Sequence, residues 1–292
     1  MDLSDERCPI RRRPFVVVVE RVDGHPPQAG EREMDYLVLL YDDERTAPQP
    51  GTARWDEDME GFIAFGELAA TAIRGGEALW DTSTARTVRH VDGALTVTNG
   101  PFVETTEVLG GYYVLEAASL DDVIELARNI PTATTGTIEI RPLVMHEQTS
   151  DALVPPGATR QLATLHGPAG EEPEPGSAEW DRGAEAHGRF AEAAGSVVRG
   201  GGAVHPASMA TTIRLRDGEL LITDGPFAEG AEVTGGFYVL CGTAEQTAEA
   251  AGRIPVNPGG WVELRTIMEL DGTDLDGTDL NGTELDGTEL DG

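Results

Sequence analysis

The chain contains no lysine: all 21 of its basic residues are arginine. Covalent chemistry through a lysine amine is therefore excluded. Cysteine is almost as scarce, with only Cys8 and Cys241 in 292 residues. Two lone thiols in unrelated contexts make neither a disulfide framework nor a zinc site, and they suit a reducing, cytoplasmic setting. Long apolar runs are missing as well. None reaches the roughly 18 residues of a membrane span. The five-residue FVVVV that follows RRRP near the start is too short for a secretory signal and has no small-residue cleavage site after it. Basic charge is outnumbered, with 52 acidic residues against 21 basic ones and a formal net charge of -31. Such a surface repels phosphate backbones and anionic lipids, which argues against nucleic acid and membranes as partners.

What is present is a repeat. TNGPFVETTEVLGGYY begins at Thr98, and TDGPFAEGAEVTGGFY begins 125 positions later, at Thr223. At the same offset Trp55 matches Trp180, Arg74 matches Arg199, Arg89 matches Arg214, and Gly110-Gly111 matches Gly235-Gly236. A one-residue deletion then moves the offset to 124, so that Pro131 matches Pro255, Glu139 matches Glu263 and Arg141 matches Arg265. A unit of about 110 residues is far longer than a solenoid repeat and reads as a whole domain.

Each copy has the same pattern of elements. DYLVLLY (35–41) and RQLATLH (160–166) read as short apolar strands. Trp55, Met59, Phe62, Gly66, Ala69 and Ile73 recur at helical spacing and predict one buried stripe. Trp180, Ala184, His187, Ala191, Ala194 and Val198 repeat it. A glycine pair is expected to break each helix before a strand. TVRHVDGALTVT (87–98) reads as a hairpin, because Asp-Gly suits a two-residue type I′ turn. A strand over 110–116, a helix over 119–131 capped by Ser119, and a strand over 137–145 complete the copy. Helices interleaved with a largely antiparallel sheet predict α+β, with both helices on one sheet face. The other face is left bare, and two copies in one chain are expected to cover each other.

The domain plan is then an extension over 1–33, a first domain over 34–147, a linker over 148–158, a second domain over 159–270 and an acidic tail over 271–292. Met34 stands where the first copy begins and offers an internal translation start. The tail repeats five residues, as in TELDG. It resembles one coil of a pentapeptide β-helix, but its acidic composition reads as solvated chain.

The DG, GPF, paired glycines and closing arginine at these spacings resemble the DGPF branch of the YCII-related family. The resemblance covers both copies and neither end. It implies ferredoxin-like domains of the dimeric α+β barrel type, here joined as an intramolecular pseudo-dimer. Some relatives act on small ring-derived acids through a His–Asp pair with the histidine on the first helix. Many DGPF members are similar to accessory proteins encoded beside extracytoplasmic-function sigma factors.

His187 lies on the first helix of the second copy, where the first copy has Phe62; Asp224 is matched by Asn99. Only the second copy therefore carries an imidazole and a carboxylate, a pair suited to proton abstraction or lyase-type elimination. The bland readings are a core histidine and an Asp that forms a turn before Gly-Pro. Asn99 favours the turn, since Asn replaces Asp as an acceptor but not as a base. Arg214 and Arg265 are candidates for holding a small acidic ligand bidentately, or else form ion pairs in an acidic protein. His90, His146, His166 and His205 show no metal spacing, and no dinucleotide, phosphate-loop or triad motif appears. No cofactor or metal is expected, and further homo-oligomerisation stays open.

Overall fold

The computed structural model describes residues 33–48, 51–102, 106–150, 152–227 and 232–269. The expectations for 1–32, including Cys8, and for the 271–292 tail lie outside the described residues.

The first segment runs β1 (Met34–Asp43), α1 (Ala53–Leu68), β2 (Ile73–Ala78), β3 (Arg86–Val91), β4 (Ala94–Asn99), β5 (Glu107–Ala117), α2 (Leu120–Ala127), α3 (Thr132–Thr135) and β6 (Thr137–Glu147). Residues 148–158 carry neither helix nor strand. The second segment follows the same order without a counterpart of α3: β7 (Thr159–Pro168), α4 (Ala178–Ala194), β8 (Val198–Val204), β9 (Thr211–Arg216), β10 (Glu219–Asp224), β11 (Glu232–Gly242), α5 (Ala244–Ala251) and β12 (Trp261–Thr266).

Local chemistry sets the boundaries. Thr52 Oγ1 accepts from Trp55 N at 3.3 Å and Ser177 Oγ accepts from Trp180 N at 3.1 Å, which starts α1 and α4. The Asp-Gly turns have left-handed φ at both residues, 52° and 79° for Asp92-Gly93 and 51° and 80° for Asp217-Gly218. That is the type I′ turn expected of a tight hairpin. Two expectations need correction. The helical stripes do not extend to Ile73 and Val198, which open β2 and β8 instead. The glycine pairs after the helices lie inside those strands and do not separate helix from strand.

The strands form one large antiparallel sheet in the order β2-β5-β1-β6-β8-β11-β7-β12-β3-β4, with β9 also on β6 and β10 on β9. Trp80 N donates to Thr266 O at 2.9 Å and Met268 N to Ala78 O at 2.8 Å, so the chain beyond β2 meets the end of β12 and the path closes. The hairpins cross over. β3 pairs with β12 through Val88↔Val262, and β9 pairs with β6 through Ile213↔Ile138. Each segment thus lends its hairpin to the other.

Burial follows the same exchange. Inside the closed sheet Leu37, Leu39 and Val114 pack with Leu162, Val204 and Val239. The helices cover the outside. Phe65, Leu115, Val123 and Ile140 of the first segment enclose Ile213 of the second, and Phe190, Leu240 and Leu264 enclose Val88 of the first. Among the described residues no helix is long and apolar enough to cross a membrane.

Ile213 is fully buried in a core made by the other segment. Ile213→Ala is expected to lower unfolding free energy by about 2–5 kcal/mol, the usual cost of such a cavity. Ile222→Ala on the exposed face of β10 is expected to stay within about 0.5 kcal/mol. Urea denaturation of both variants checks the crossing directly.

Candidate functional site

The GPF phrase lies where each crossed hairpin meets the other segment. Phe227 N donates to Glu139 Oε2 at 2.9 Å, and the Phe227 ring packs on Tyr41 with centroids 4.9 Å apart. On the other side the Phe102 backbone N–H donates to Glu263, and the Phe102 ring packs on Trp261 at 4.3 Å. The glycine before each proline has φ of 93° (Gly100) or 103° (Gly225), a turn that a side chain would strain. Each carboxylate also faces a buried arginine on its own strand: Arg141 Nη1 lies 3.2 Å from Glu139 Oε1, and Arg265 Nη1 lies 3.7 Å from Glu263 Oε1. The guanidiniums then cross back, Arg141 Nη2 donating to His205 O at 2.7 Å and Arg265 Nη2 to Trp80 O at 2.6 Å.

This arrangement places three of the four residues read as site candidates. Asp224 is exposed at the end of β10, opposite Thr211, as Asn99 is at the end of β4, opposite Arg86. Arg214 lies over the Phe227 ring at 5.6 Å and 3.5 Å from Glu107 Oε2. Arg265 is buried in the clasp, and burial pushes its pKa down against the pull of Glu263.

His187 lies elsewhere. Trp180, Ala184, His187 and Ala191 line a cavity of about 310 Å³ under α4, floored by Gly235, Gly236 and Tyr238 of β11. Neither Asp224, Arg214 nor Arg265 is among its lining residues. The α4 stripe thus faces a cavity, and the residue that α4 buries is Phe190. The cavity exists partly because of the second glycine pair. Gly235 is the extra residue of a β-bulge between β11 and β7, and a Cβ on Gly236 would stand 2.6 Å from the Gly202 carbonyl. The pair lets two strands approach closely; it cradles no helix terminus.

His187 Nδ1 lies 3.0 Å from the Tyr238 hydroxyl, and the rings are 6.0 Å apart. Burial pushes the His187 pKa down and keeps the imidazole neutral near pH 7. Burial, reinforced by Glu147, pushes Tyr238 up to about 12, so the phenol stays protonated. His166 and His205 share the cavity. His166 stacks on Trp261 at 5.0 Å, hydrogen-bonds Thr164 Oγ1 at 2.9 Å, and is held down to about 4 by burial. The three imidazoles make no metal centre: no group of three metal-binding side chains occurs among the described residues.

Tyr238 was missed from sequence although it stands in the repeated GGFY phrase. The available signal was its position three residues after the bulge glycine, on a strand lying under the first helix of its segment. A second cavity, of about 240 Å³, lies under α1 between Trp55, Phe62 and the Gly110-Gly111 bulge.

The fold and site define an α+β protein with its helices packed on a large antiparallel sheet and a cavity beneath each first helix. A family model for the YCII-related domain matches residues 34–147. An uncharacterized protein of Rhizobium meliloti (strain 1021) is 35% identical over 124 residues, which covers 95% of that relative and 39% of this chain. The chain belongs to the YCII-related family.

Removing the clasp carboxylate separates architecture from chemistry. Glu139→Ala leaves Arg141 buried without its partner and is expected to cost about 3–5 kcal/mol. Asp224→Asn at its exposed turn is expected to change stability by less than about 0.5 kcal/mol. Urea denaturation distinguishes the two. The buried histidines set a pH dependence. The folded His166 pKa of about 4 lies below the ordinary value near 6.5, so the unfolded chain takes up the proton first. Its contribution is present above about pH 6.5 and is lost as pH falls towards 4. Denaturation midpoints measured from pH 7 to 5 should fall, and fall less steeply in His166→Asn.

Proposed function

We propose that the chain binds a small ring compound in the cavity under α4, and that His187 acts there as a neutral proton acceptor oriented by Tyr238. The observation that carries this reading is the His187–Tyr238 contact at 3.0 Å within a cavity of about 310 Å³. Its counterpart under α1 has Phe62 in the place of His187. A neutral imidazole accepts a proton near pH 7, and its tyrosine partner fixes the ring. The chemistry this supports is proton transfer from an acidic C–H or O–H, of the lyase or hydrolase type.

The lining of this cavity bears on the small acidic ligand expected from sequence. No arginine lines this cavity and Glu147 and Glu172 do, while Trp180, Tyr238 and His166 offer flat surfaces and Asn257 and His205 offer polar contacts. An uncharged or weakly acidic ring fits these better than a carboxylate. Asp224 and Arg214 belong with the crossed hairpin in this reading, and Arg265 belongs with the clasp, from which it also reaches the other cavity.

The architecture we propose is an intramolecular pseudo-dimer of two ferredoxin-like units, 34–147 and 159–270, joined by 148–158 and working in the cytoplasm. The exchanged hairpins and the core shared between segments support it. A second reading is a non-catalytic accessory protein of a sigma-factor system. The observation in its favour is that the phenylalanine of the GPF phrase is engaged in joining the segments, Phe227 N donating to Glu139 and its ring packing on Tyr41.

Thermal-shift screening of phenols, lactones and hydroxy-quinones tests the site. A ligand that stabilises the wild type should lose at least about tenfold in affinity in His187→Ala and keep it in Phe62→Ala. A ligand that stabilises wild type and His187→Ala equally would remove His187 from the site.

A further inference from the structure

The cavity under α1 has the same frame as the cavity under α4 but different chemistry. Trp55, Phe62, Trp80, Tyr112 and Tyr113 give it five aromatic lining residues, with Met59 between the helix aromatics. Trp55, Asp58 and Phe62 follow at helical spacing, so one face of α1 presents ring, carboxylate and ring. Five carboxylates line the cavity (Asp42, Glu44, Asp58, Glu77 and Asp81) against a single guanidinium, that of Arg265.

This charge is local and does not simply follow from an acidic chain. At the offset of the repeat, the five positions are Gly167, Ala169, Gly183, Gly202 and Pro206 in the second segment. Every carboxylate of the first cavity is thus an uncharged residue in the second. Trp80 likewise becomes His205, and Phe62 becomes His187.

The carboxylates are only partly neutralised from within. Glu77 pairs with Arg160 outside the cavity. Arg265 donates to Trp80 O and pairs with Glu263, and it reaches Glu44 and Asp81 only as a charge at longer range. The other four accept hydrogen bonds from uncharged donors or none, and no arginine lies within salt-bridge reach of them among the described residues. Glu44 takes Thr82 N at 3.0 Å and Thr82 Oγ1 at 2.9 Å, Asp81 takes Ser83 N at 2.9 Å, and Asp42 takes the Thr135 hydroxyl. Burial pushes the Asp58 carboxyl up, Arg54 opposes this, and Asp42 and Glu57 add to it. A carboxylate in that setting gains from any cation brought beside it.

We propose that the cavity under α1 is a second binding site and that it takes a small organic cation, a quaternary or protonated amine. Aromatic faces attract such a group through their quadrupoles, and the carboxylates supply the opposite charge. A volume of about 240 Å³ lies just under the usual range for drug-sized ligands, about 300–1,000 Å³, and suits a smaller molecule. A hydrated inorganic ion would gain nothing from the rings, and an anion would meet five carboxylates against the one guanidinium of the lining. The site is independent of the reading given for the cavity under α4.

The test is NMR titration of the full chain with choline and with its uncharged isostere, 3,3-dimethylbutan-1-ol. It is run at about 0.15 M salt, where charges beyond about 8 Å are screened. Choline is expected to bind at least tenfold more tightly than the alcohol, with shifts at the Trp55 and Trp80 indoles. Asp58→Asn is expected to weaken choline at least fivefold. Glu192→Gln, which removes an equal charge from the exposed face of α4, should leave it unchanged. If Asp58→Asn does not fold, Trp80→Ala at a 40% exposed position replaces it, with the same expected loss. Equal affinity for choline and the alcohol would overturn the proposal. So would an equal loss in Glu192→Gln, which would mark non-specific attraction to an acidic protein.

Discussion

Each hairpin crosses to the other segment and is fixed there by a carboxylate, buried at Glu139 and half-buried at Glu263, that accepts a backbone N–H from its GPF turn. Phe227 N reaches Glu139 at 2.9 Å, and Phe102 reaches Glu263 in the same way. A buried carboxylate is costly unless paired and hydrogen-bonded. Here one arginine and one crossing amide meet that requirement, and the arginine continues to a carbonyl beyond β2 or β8. The clasp therefore ties three strands from two segments. Ile213 and Val88 fill cores that are otherwise built by the other segment, so neither core is complete without the exchange.

The cavities follow from this frame. A β-bulge at Gly110 or Gly235 bends β5 or β11 beneath the first helix, and the helix spans the gap with one stripe of side chains. What fills the stripe then sets the chemistry. Under α4 it is a histidine held neutral beside a tyrosine; under α1 it is a set of rings among carboxylates. The same scaffold thus presents two cavities of different charge within one chain, which a symmetric pair of identical units cannot do.

Much of this was legible in the sequence. The order of elements, the Asp-Gly hairpins, the capped helix after Ser119 and the placing of His187 on the first helix all follow from local patterns, and local patterns fix local structure. Three features were not legible. A hydrophobic stripe reads alike whether it meets a core or a cavity, so Trp180, Ala184 and His187 looked like packing. Hairpin exchange leaves no mark on periodicity, since Val88 and Ile213 are buried whichever segment covers them. The repeated Glu139/Glu263 and Arg141/Arg265 pairs were visible, but their burial depends on strands distant in the chain.

The dependence of each segment on the other's hairpin is the central claim, and the isolated segment 34–147 tests it most directly. Alone, its β3–β4 hairpin has no β12 to join and its helix-side core lacks Ile213. Sedimentation and circular dichroism of that segment over a concentration series should find it either unfolded or folded only as a homodimer that restores the exchange. A cooperatively folded monomer at all concentrations would contradict the account.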